Sequence, residues 1–330
     1  MRLQTLRAVV FDGSVSCKEV RVPSRPGEAV LSVEKAGICG TDLAIASGGY
    51  RVKTPLVLGH EIFGTVKSAP SGFQSPAGRR AVTEITVACG SCYFCRTGMK
   101  SHCLEGEALG IHRDGGFAEL VSTPASNIHL VPDAISDDEA VFIEPLAACV
   151  QLVKVGQIPP DSTCAVLGTG RMGLLILQLL KLTDPRVLVA IGHAGKKLDV
   201  ARGMGISTFE ADKVDGALGL VDGGRFDNVV EATGTPEGLD QALRLVKPRG
   251  TLHLKSTHGL PVQLDVTKVV VDEIRIQGSR CGPFEEAIGL LAQKKVKVRE
   301  MITDRFPLEK CGDAFRQAGS SASVKTIFEI

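Results

Sequence analysis

Cys164-Ala165-Val166-Leu167-Gly168-Thr169-Gly170-Arg171-Met172-Gly173, continued by Leu174 to Lys181, decides how the second half of this chain folds. Four apolar residues read as a buried strand. The leucine-rich run that follows reads as a helix, and a Gly-x-Gly-x-x-Gly turn joins them. Glycine is needed there for the tight turn, for close approach of a pyrophosphate to backbone N–H groups, and for strand–helix packing. The helix N-terminus adds partial positive charge. A glycine turn alone is weak evidence, but one set between a strand and a helix predicts a dinucleotide cradle at Gly168, Thr169, Gly170, Arg171, Met172 and Gly173.

Further along, Val187–Ile191, Asn228–Val230, Thr251–Leu254 and Ile274–Ile276 read as buried strands separated by helical patterns. Such alternation predicts βαβ units and a parallel sheet. In sites of this kind a carboxylate ~20 residues after the glycines holds the 2′-hydroxyl of NAD. Here the second strand runs out as Ile191-Gly192-His193-Ala194-Gly195-Lys196-Lys197, with no carboxylate at its tip. Gly192 leaves room, and His193, Lys196 and Lys197 suit a 2′-phosphate, so NADP(H) is expected over NAD(H). The plain alternative is that both lysines are a solvated helix start.

The first half has another character. Val30–Val33, Leu56–Leu58 and Ile62–Val66 read as short strands among Gly and Pro punctuation, predicting an irregular, mostly β domain. Within it Cys89, Cys92, Cys95 and Cys103 follow a C-x2-C-x2-C-x7-C spacing. Closely spaced thiolates wrap one ion, and Zn²⁺ favours a closed S₄ shell in structural sites. A ferredoxin-type cluster closes with a nearer fourth cysteine followed by proline; here Leu104 follows. Nucleic-acid-binding zinc lobes carry a basic patch, and this one offers only Arg96 and Lys100. A second constellation pairs Gly37-Ile38-Cys39-Gly40-Thr41-Asp42 with Gly59-His60-Glu61. Catalytic zinc takes three protein ligands and an open position, and Glu61 and Glu144 are the carboxylate candidates. Taken singly, each has a plain reading: a core thiol, a hydrogen-bonded imidazole, and Glu144 capping a helix that begins at Leu146.

Composition sets limits. At 330 residues, two domains are expected. Lys plus Arg is 38 against 37 for Asp plus Glu, so nothing favours bulk binding to nucleic acid or anionic membrane. Trp is absent and Tyr occurs twice, which leaves few platforms for stacking bases. Met1 to Asp12 does not read as a signal peptide, and the apolar run Leu174–Leu180 is too short to span a bilayer. Reduced, metal-binding thiols point to the cytoplasm.

Together with Gly115-Gly116-Phe117-Ala118-Glu119 and Glu144-Pro145-Leu146, these motifs resemble, in order, the zinc-dependent medium-chain dehydrogenase/reductase family of alcohol, sorbitol, threonine and glucose dehydrogenases. The resemblance implies an α/β chain with two parts. A GroES-like, mostly β catalytic domain covers residues 1–148, with a structural zinc lobe at about 88–104. A Rossmann domain with a doubly wound parallel sheet covers 149–279, and the chain returns to the catalytic domain over 280–330. It implies two Zn²⁺ per chain. Cys39 and His60 match catalytic-zinc ligands, Glu144 matches the acidic ligand of the sorbitol and threonine branch, and Glu61 matches a carboxylate that binds zinc directly or through water. Cys149 is the fallback third ligand. Asp42 matches the partner that orients the histidine, and Thr41 matches the proton relay. Many relatives place a histidine three residues after the relay; here Ala44 stands there. Thr233, Arg280 and Lys325 match positions near the cofactor. The implied activity is hydride transfer between NADP(H) and an alcohol, polyols and sugars foremost, with the alkoxide or carbonyl held at zinc. The alternatives are a reductase of activated C=C bonds and a non-catalytic cofactor-binding regulatory or structural protein. A homodimer or homotetramer is the family habit.

Overall fold

Every residue of the strand Thr163–Leu167 is buried, as a parallel strand covered on both faces requires. In the computed structural model it lies at the centre of a six-stranded parallel sheet. The structure describes residues 5–21, 25–73, 77–257 and 261–330; the first four residues of the stretch examined for a signal peptide lie outside them. The sheet runs Ser207–Glu210, Val187–Gly192, Thr163–Leu167, Phe226–Glu231, Val246–Leu254, Arg275–Gly278. Numbered along the chain this is 3-2-1-4-5-6, the doubly wound order whose reversal point sits beside the first strand. The helix Arg171–Lys181 buries Leu174, Leu175, Ile176, Leu177, Leu179 and Leu180.

Two strands differ from the sequence expectation. Ser207–Glu210 was not anticipated: it is a four-residue edge strand without a buried position, so it lacks an apolar run. Val246–Leu254 begins five residues before the predicted Thr251. Its first part holds Pro248, Arg249 at φ +64° and Gly250, which read as breakers in sequence.

The chain divides into two compact units, Leu146–Pro283 and Met1–Pro145 with Phe284–Ile330. The second of these is built on a seven-stranded sheet. Its main path is Ile128–Leu130, Arg80–Thr83, Glu61–Ser68, Glu28–Gly37, Lys325–Glu329, Ile302–Phe306, and Leu120–Pro124 also pairs with Glu28–Gly37. Alternation of buried and half-buried residues along Glu28–Gly37 marks a strand with one face on the core. The chain's last strand, Lys325–Glu329, pairs antiparallel with Glu28–Gly37, setting Ile327 opposite Gly37. Thr86–Val87 and Glu107–Ala108 pair at the base of the cysteine lobe. Among the described residues no helix is long and apolar enough to cross a membrane.

Candidate active site and metal centres

Gly59 has φ +96°, and a Cβ there would come within 2.3 Å of the Phe117 ring. Only glycine fits. Phe117 and Gly116 donate backbone hydrogen bonds to Leu58 and Gly59, both at 2.9 Å. The Gly115–Glu119 motif therefore braces the turn that presents His60 and Glu61 at the start of their strand. Cys39 caps the helix Gly40–Ala46, and its backbone N–H donates to Asp42 Oδ2 at 2.8 Å. Asp42 Oδ1 accepts from Gly59 N at 3.2 Å and lies 3.8 Å from His60 Nδ1. One buried carboxylate thus ties the two segments together.

As a result Cys39, His60 and Glu61 each offer a ligand atom, and the three atoms lie within 4.8 Å of one another. Asp42, His60 and Glu61 are buried. Thr41 is half-buried, with Oγ1 3.9 Å from Cys39 Sγ. Glu144 falls outside this set of three but acts electrostatically on His60. It sits inside the first turn of the helix Ile143–Gly156; that helix starts earlier than Leu146 because Pro145 is tolerated in a first turn. Cys149 belongs to the other unit, where its thiol donates to Met172 O at 3.8 Å.

Lys325, which the resemblance matches to a position near the cofactor, is tied to this cluster. It is fully buried, its Nζ is ion-paired with Glu61 Oε2, and it donates to Ile38 O at 3.3 Å. Strand pairing between the chain's end and Glu28–Gly37 brings it there. The available signal was a lone lysine in the apolar run Val324-Lys325-Thr326-Ile327-Phe328.

The electrostatics follow from burial. Desolvation pushes Asp42 up to about 6, against the pull of His60. Desolvation works against a charged imidazole, yet Asp42 and Cys39 together push His60 up to about 10. Burial pushes Lys325 down to about 7, opposed by Cys39 and Asp42. A thiolate, two carboxylates and an imidazole in a buried cluster call for cationic charge. A sulfur, nitrogen and oxygen donor set of this kind fits zinc.

The cysteine lobe is different in build. Sγ–Sγ separations are 3.5 Å for Cys92–Cys95, 3.8 Å for Cys92–Cys103 and 3.9 Å for Cys89–Cys95. Four thiolates at Zn–S distances of ~2.3 Å form a tetrahedron with edges of ~3.8 Å. The lobe fits zinc closely and is too open for a disulfide. Backbone N–H groups of Cys92 and Cys89 donate to Cys89 Sγ and Cys103 Sγ at 3.4 and 3.3 Å.

In the other unit, Gly168 has φ +96°, and a Cβ there would come within 2.4 Å of Ala232 O. A Cβ on Gly173 would come within 1.8 Å of Gly168 O. Gly170 caps the helix that Arg171 and Met172 open. Gly192 ends its strand with no room for a side chain, because Thr169 Oγ1 lies 2.5 Å from where its Cβ would be. Beyond it His193 and Lys196 are exposed and Lys197 is half-buried. Burial and, after it, the charge of Arg171 lower the Lys197 pKa. Thr233 turns onto the buried Glu231, donating from its N–H and hydroxyl at 2.7 and 2.6 Å. Arg280 is exposed, and its carbonyl accepts from Lys255 Nζ at 3.3 Å.

A GroES-like unit and a doubly wound dinucleotide-binding unit, with a largely buried cysteine–histidine–glutamate cluster and a four-thiolate lobe, define a class of zinc-type dehydrogenase. Residues 25–133 match the alcohol dehydrogenase GroES-like domain and residues 172–293 match the zinc-binding dehydrogenase domain. D-arabinitol dehydrogenase 1 of Uromyces fabae is 31% identical over 310 residues, covering 90% of this chain and 88% of that protein. A candidate zinc-binding dehydrogenase of Sinorhizobium meliloti 1021, bound to NADP, superposes with a TM-score of 0.90 at 30% identity, over 99% of this chain and 100% of that one. The alcohol dehydrogenase rspB of E. coli CFT073, complexed with NADH, gives a TM-score of 0.91 at 27% identity, over 99% of each chain. The chain belongs to the zinc-dependent medium-chain dehydrogenase/reductase family, and it is an alcohol-dehydrogenase-type oxidoreductase.

Proposed function

We propose that this chain is a two-zinc enzyme that transfers a hydride between NADP(H) and a small-molecule alcohol, with polyols and sugars the first substrates to try. The convergence of Cys39, His60 and Glu61 beside Thr41 carries the reading. Zinc would supply Lewis acidity, and the nicotinamide would accept or donate the hydride. Cys39, His60 and Glu61 hold the metal, and Glu144 adds negative charge that acts on His60. Asp42 fixes the Cys39 turn and faces the His60 ring. Lys325 holds Oε2 of Glu61, which aims that carboxylate. The Thr41 hydroxyl takes the proton of the substrate alcohol. Ala44 offers no imidazole to pass it on, so the proton leaves Thr41 through water or through Glu61. Cys89, Cys92, Cys95 and Cys103 hold the second zinc, which fastens the lobe.

For the cofactor, Gly168 to Gly173 cradle the pyrophosphate. Gly192, His193 and Lys197 would hold the ribose end, with the charge of Arg171 acting on Lys197, and Thr233 and Arg280 would hold other parts of the cofactor. Two cations, with no carboxylate at the tip of the strand itself and Glu210 of the neighbouring strand already paired with Lys213, favour a 2′-phosphate. A charge-assisted hydrogen bond contributes about 1.5–3 kcal/mol, so Lys197→Glu is expected to lower kcat/KM for NADP(H) by roughly 10- to 100-fold. NAD(H) turnover should be little changed. Faster turnover of NAD(H) than NADP(H) by the unaltered protein would reverse the assignment.

Val266, Val270 and Val271 are largely exposed on one short helix, near the sheet-edge strand Arg275–Gly278. An exposed apolar patch beside an open edge supports a homodimer or homotetramer, which light scattering would test. Cysteines grouped to bind metal support a reducing compartment such as the cytoplasm. Elemental analysis with an alcohol and aldehyde screen tests the whole reading. Two zincs and NADP-linked alcohol oxidation are expected. One zinc per chain, with reduction of activated C=C bonds, would replace this reading with the zinc-independent one.

A further inference from the structure

The glycine cradle lies past the C-terminal end of Thr163–Leu167. Near the opposite, N-terminal ends of the neighbouring strands the same unit has a cavity of about 520 Å³. That size is within the ~300–1,000 Å³ of small-molecule sites. It opens among the start of Phe226–Glu231, the first part of Val246–Leu254, the strand Arg275–Gly278 and the turn after the helix Ile143–Gly156.

Its walls carry three cations, Lys247, Arg249 and Arg275, against one carboxylate, Asp227. Asp227 is already engaged: it pairs with Lys247 and accepts from the Thr163 N–H and hydroxyl, each at 2.7 Å. Arg249 pairs with Glu273 at 3.1 Å. Arg275 has no ion-pair partner among the described residues. Burial, and after it the charge of Arg275, holds His253 down to about 4.

Neutral polar groups line up beside it. The register sets Asn228 opposite Thr251, Thr251 opposite Arg275, and His253 opposite Gln277, so they share one face of the sheet. His253 is fully buried, with Nε2 3.0 Å from Asn228 Oδ1 and no hydrogen-bond partner for Nδ1. That nitrogen lies 3.0 Å from where a Cβ on Gly156, a wall residue, would be. A row of amide, hydroxyl and imidazole groups beside one unpaired cation, Arg275, is unusual on the face of a buried sheet, where apolar residues pack. No aromatic side chain lines the cavity, which leaves nothing for a nucleobase to stack on.

We infer that this cavity binds a phosphorylated polyhydroxy compound, a sugar or polyol phosphate, with Arg275 and Lys247 on the phosphate and Asn228, Thr251 and Gln277 on the hydroxyls. Guanidinium recognises phosphate through paired N–H donors, and the amides and threonine supply both donors and acceptors for hydroxyls. The site is separate from the cofactor cradle and does not depend on which alcohol is oxidised.

The test is calorimetric titration of the full chain, saturated with NADPH so that the cradle's own phosphate sites are filled. Glucose 6-phosphate, glucose and inorganic phosphate are the probes. Glucose 6-phosphate should bind, with glucose and inorganic phosphate each at least roughly tenfold weaker. Arg275 is exposed and has no ion-pair partner among the described residues, so Arg275→Glu should fold, keep its turnover and lose the glucose 6-phosphate heat. Gln277→Ala should weaken glucose 6-phosphate and leave inorganic phosphate unchanged. Absence of binding overturns the inference. So does binding that survives Arg275→Glu, or equal affinity for inorganic phosphate.

Discussion

The four-cysteine lobe and the Cys39–His60–Glu61 cluster sit in one unit and are built in opposite ways. The lobe draws all its sulfurs from fifteen consecutive residues, Cys89 to Cys103, and all four are exposed or half-buried. Its backbone N–H groups already point at sulfur. The cluster gathers its donors from separated segments and buries His60 and Glu61, with Cys39 half-buried. It also needs Asp42 to join two of those segments and Lys325 to balance Glu61 from 287 residues beyond Ile38. A local, solvent-facing site is specified by spacing. A buried one is specified by strand pairing and charge balance, and it is sensitive to groups that hold no metal themselves.

That contrast can be broken at the cluster first. Cys39→Ala is expected to abolish alcohol oxidation and remove one zinc per chain, leaving the other in the lobe. Elemental analysis with turnover assays decides it, and full activity would mean the metal assignment is wrong. Cys92→Ser should do the reverse, losing the lobe's zinc and the folding free energy that metal binding supplies locally. Limited proteolysis should then cut within residues 88–104, while NADP(H) binding persists. If both variants lose both metals, the two sites are coupled and the contrast fails.

Charge balance gives the next largest effect. Lys325→Met leaves the fully buried Glu61 without its ion-pair partner. Breaking a buried pair from one side costs about 3–5 kcal/mol. Urea unfolding of chelator-treated protein should show that loss, and Lys325→Met with Glu61→Gln should recover most of it. Equal stability of the single and double variants would remove Lys325 from the account. The smallest effect sharpens the comparison within the cluster. Asp42→Asn turns an acceptor into a donor against the Cys39 or Gly59 N–H groups. Groups that orient a metal ligand typically contribute ~10–100-fold in metal affinity or activity, so a zinc affinity lowered by that amount is expected. The lobe's zinc should be unaffected.

Much of this was legible in the chain. The glycine cradle was, because Gly168 and Gly173 pack where a Cβ would strike backbone oxygens. So was the cysteine spacing, which wraps one ion within a single loop. Strands buried on both faces announced themselves as apolar runs. Those without apolar runs did not: Ser207–Glu210 lies on an edge, and the start of Val246–Leu254 carries Pro248 and Gly250.

By itself, then, the sequence determined the fold class, the dinucleotide cradle and which residues are able to ligate metal. All of these depend on residue type at fixed short separations, which the covalent chain holds constant. Only the tertiary structure decided that Glu61 shares its charge with Lys325, that the charge of Arg171 acts on Lys197, and that Arg275, without an ion-pair partner among the described residues, lines a polar cavity. Those are pairings between distant segments. They are set by strand register and by the cost of burying an unbalanced charge, neither of which has a signature in local spacing.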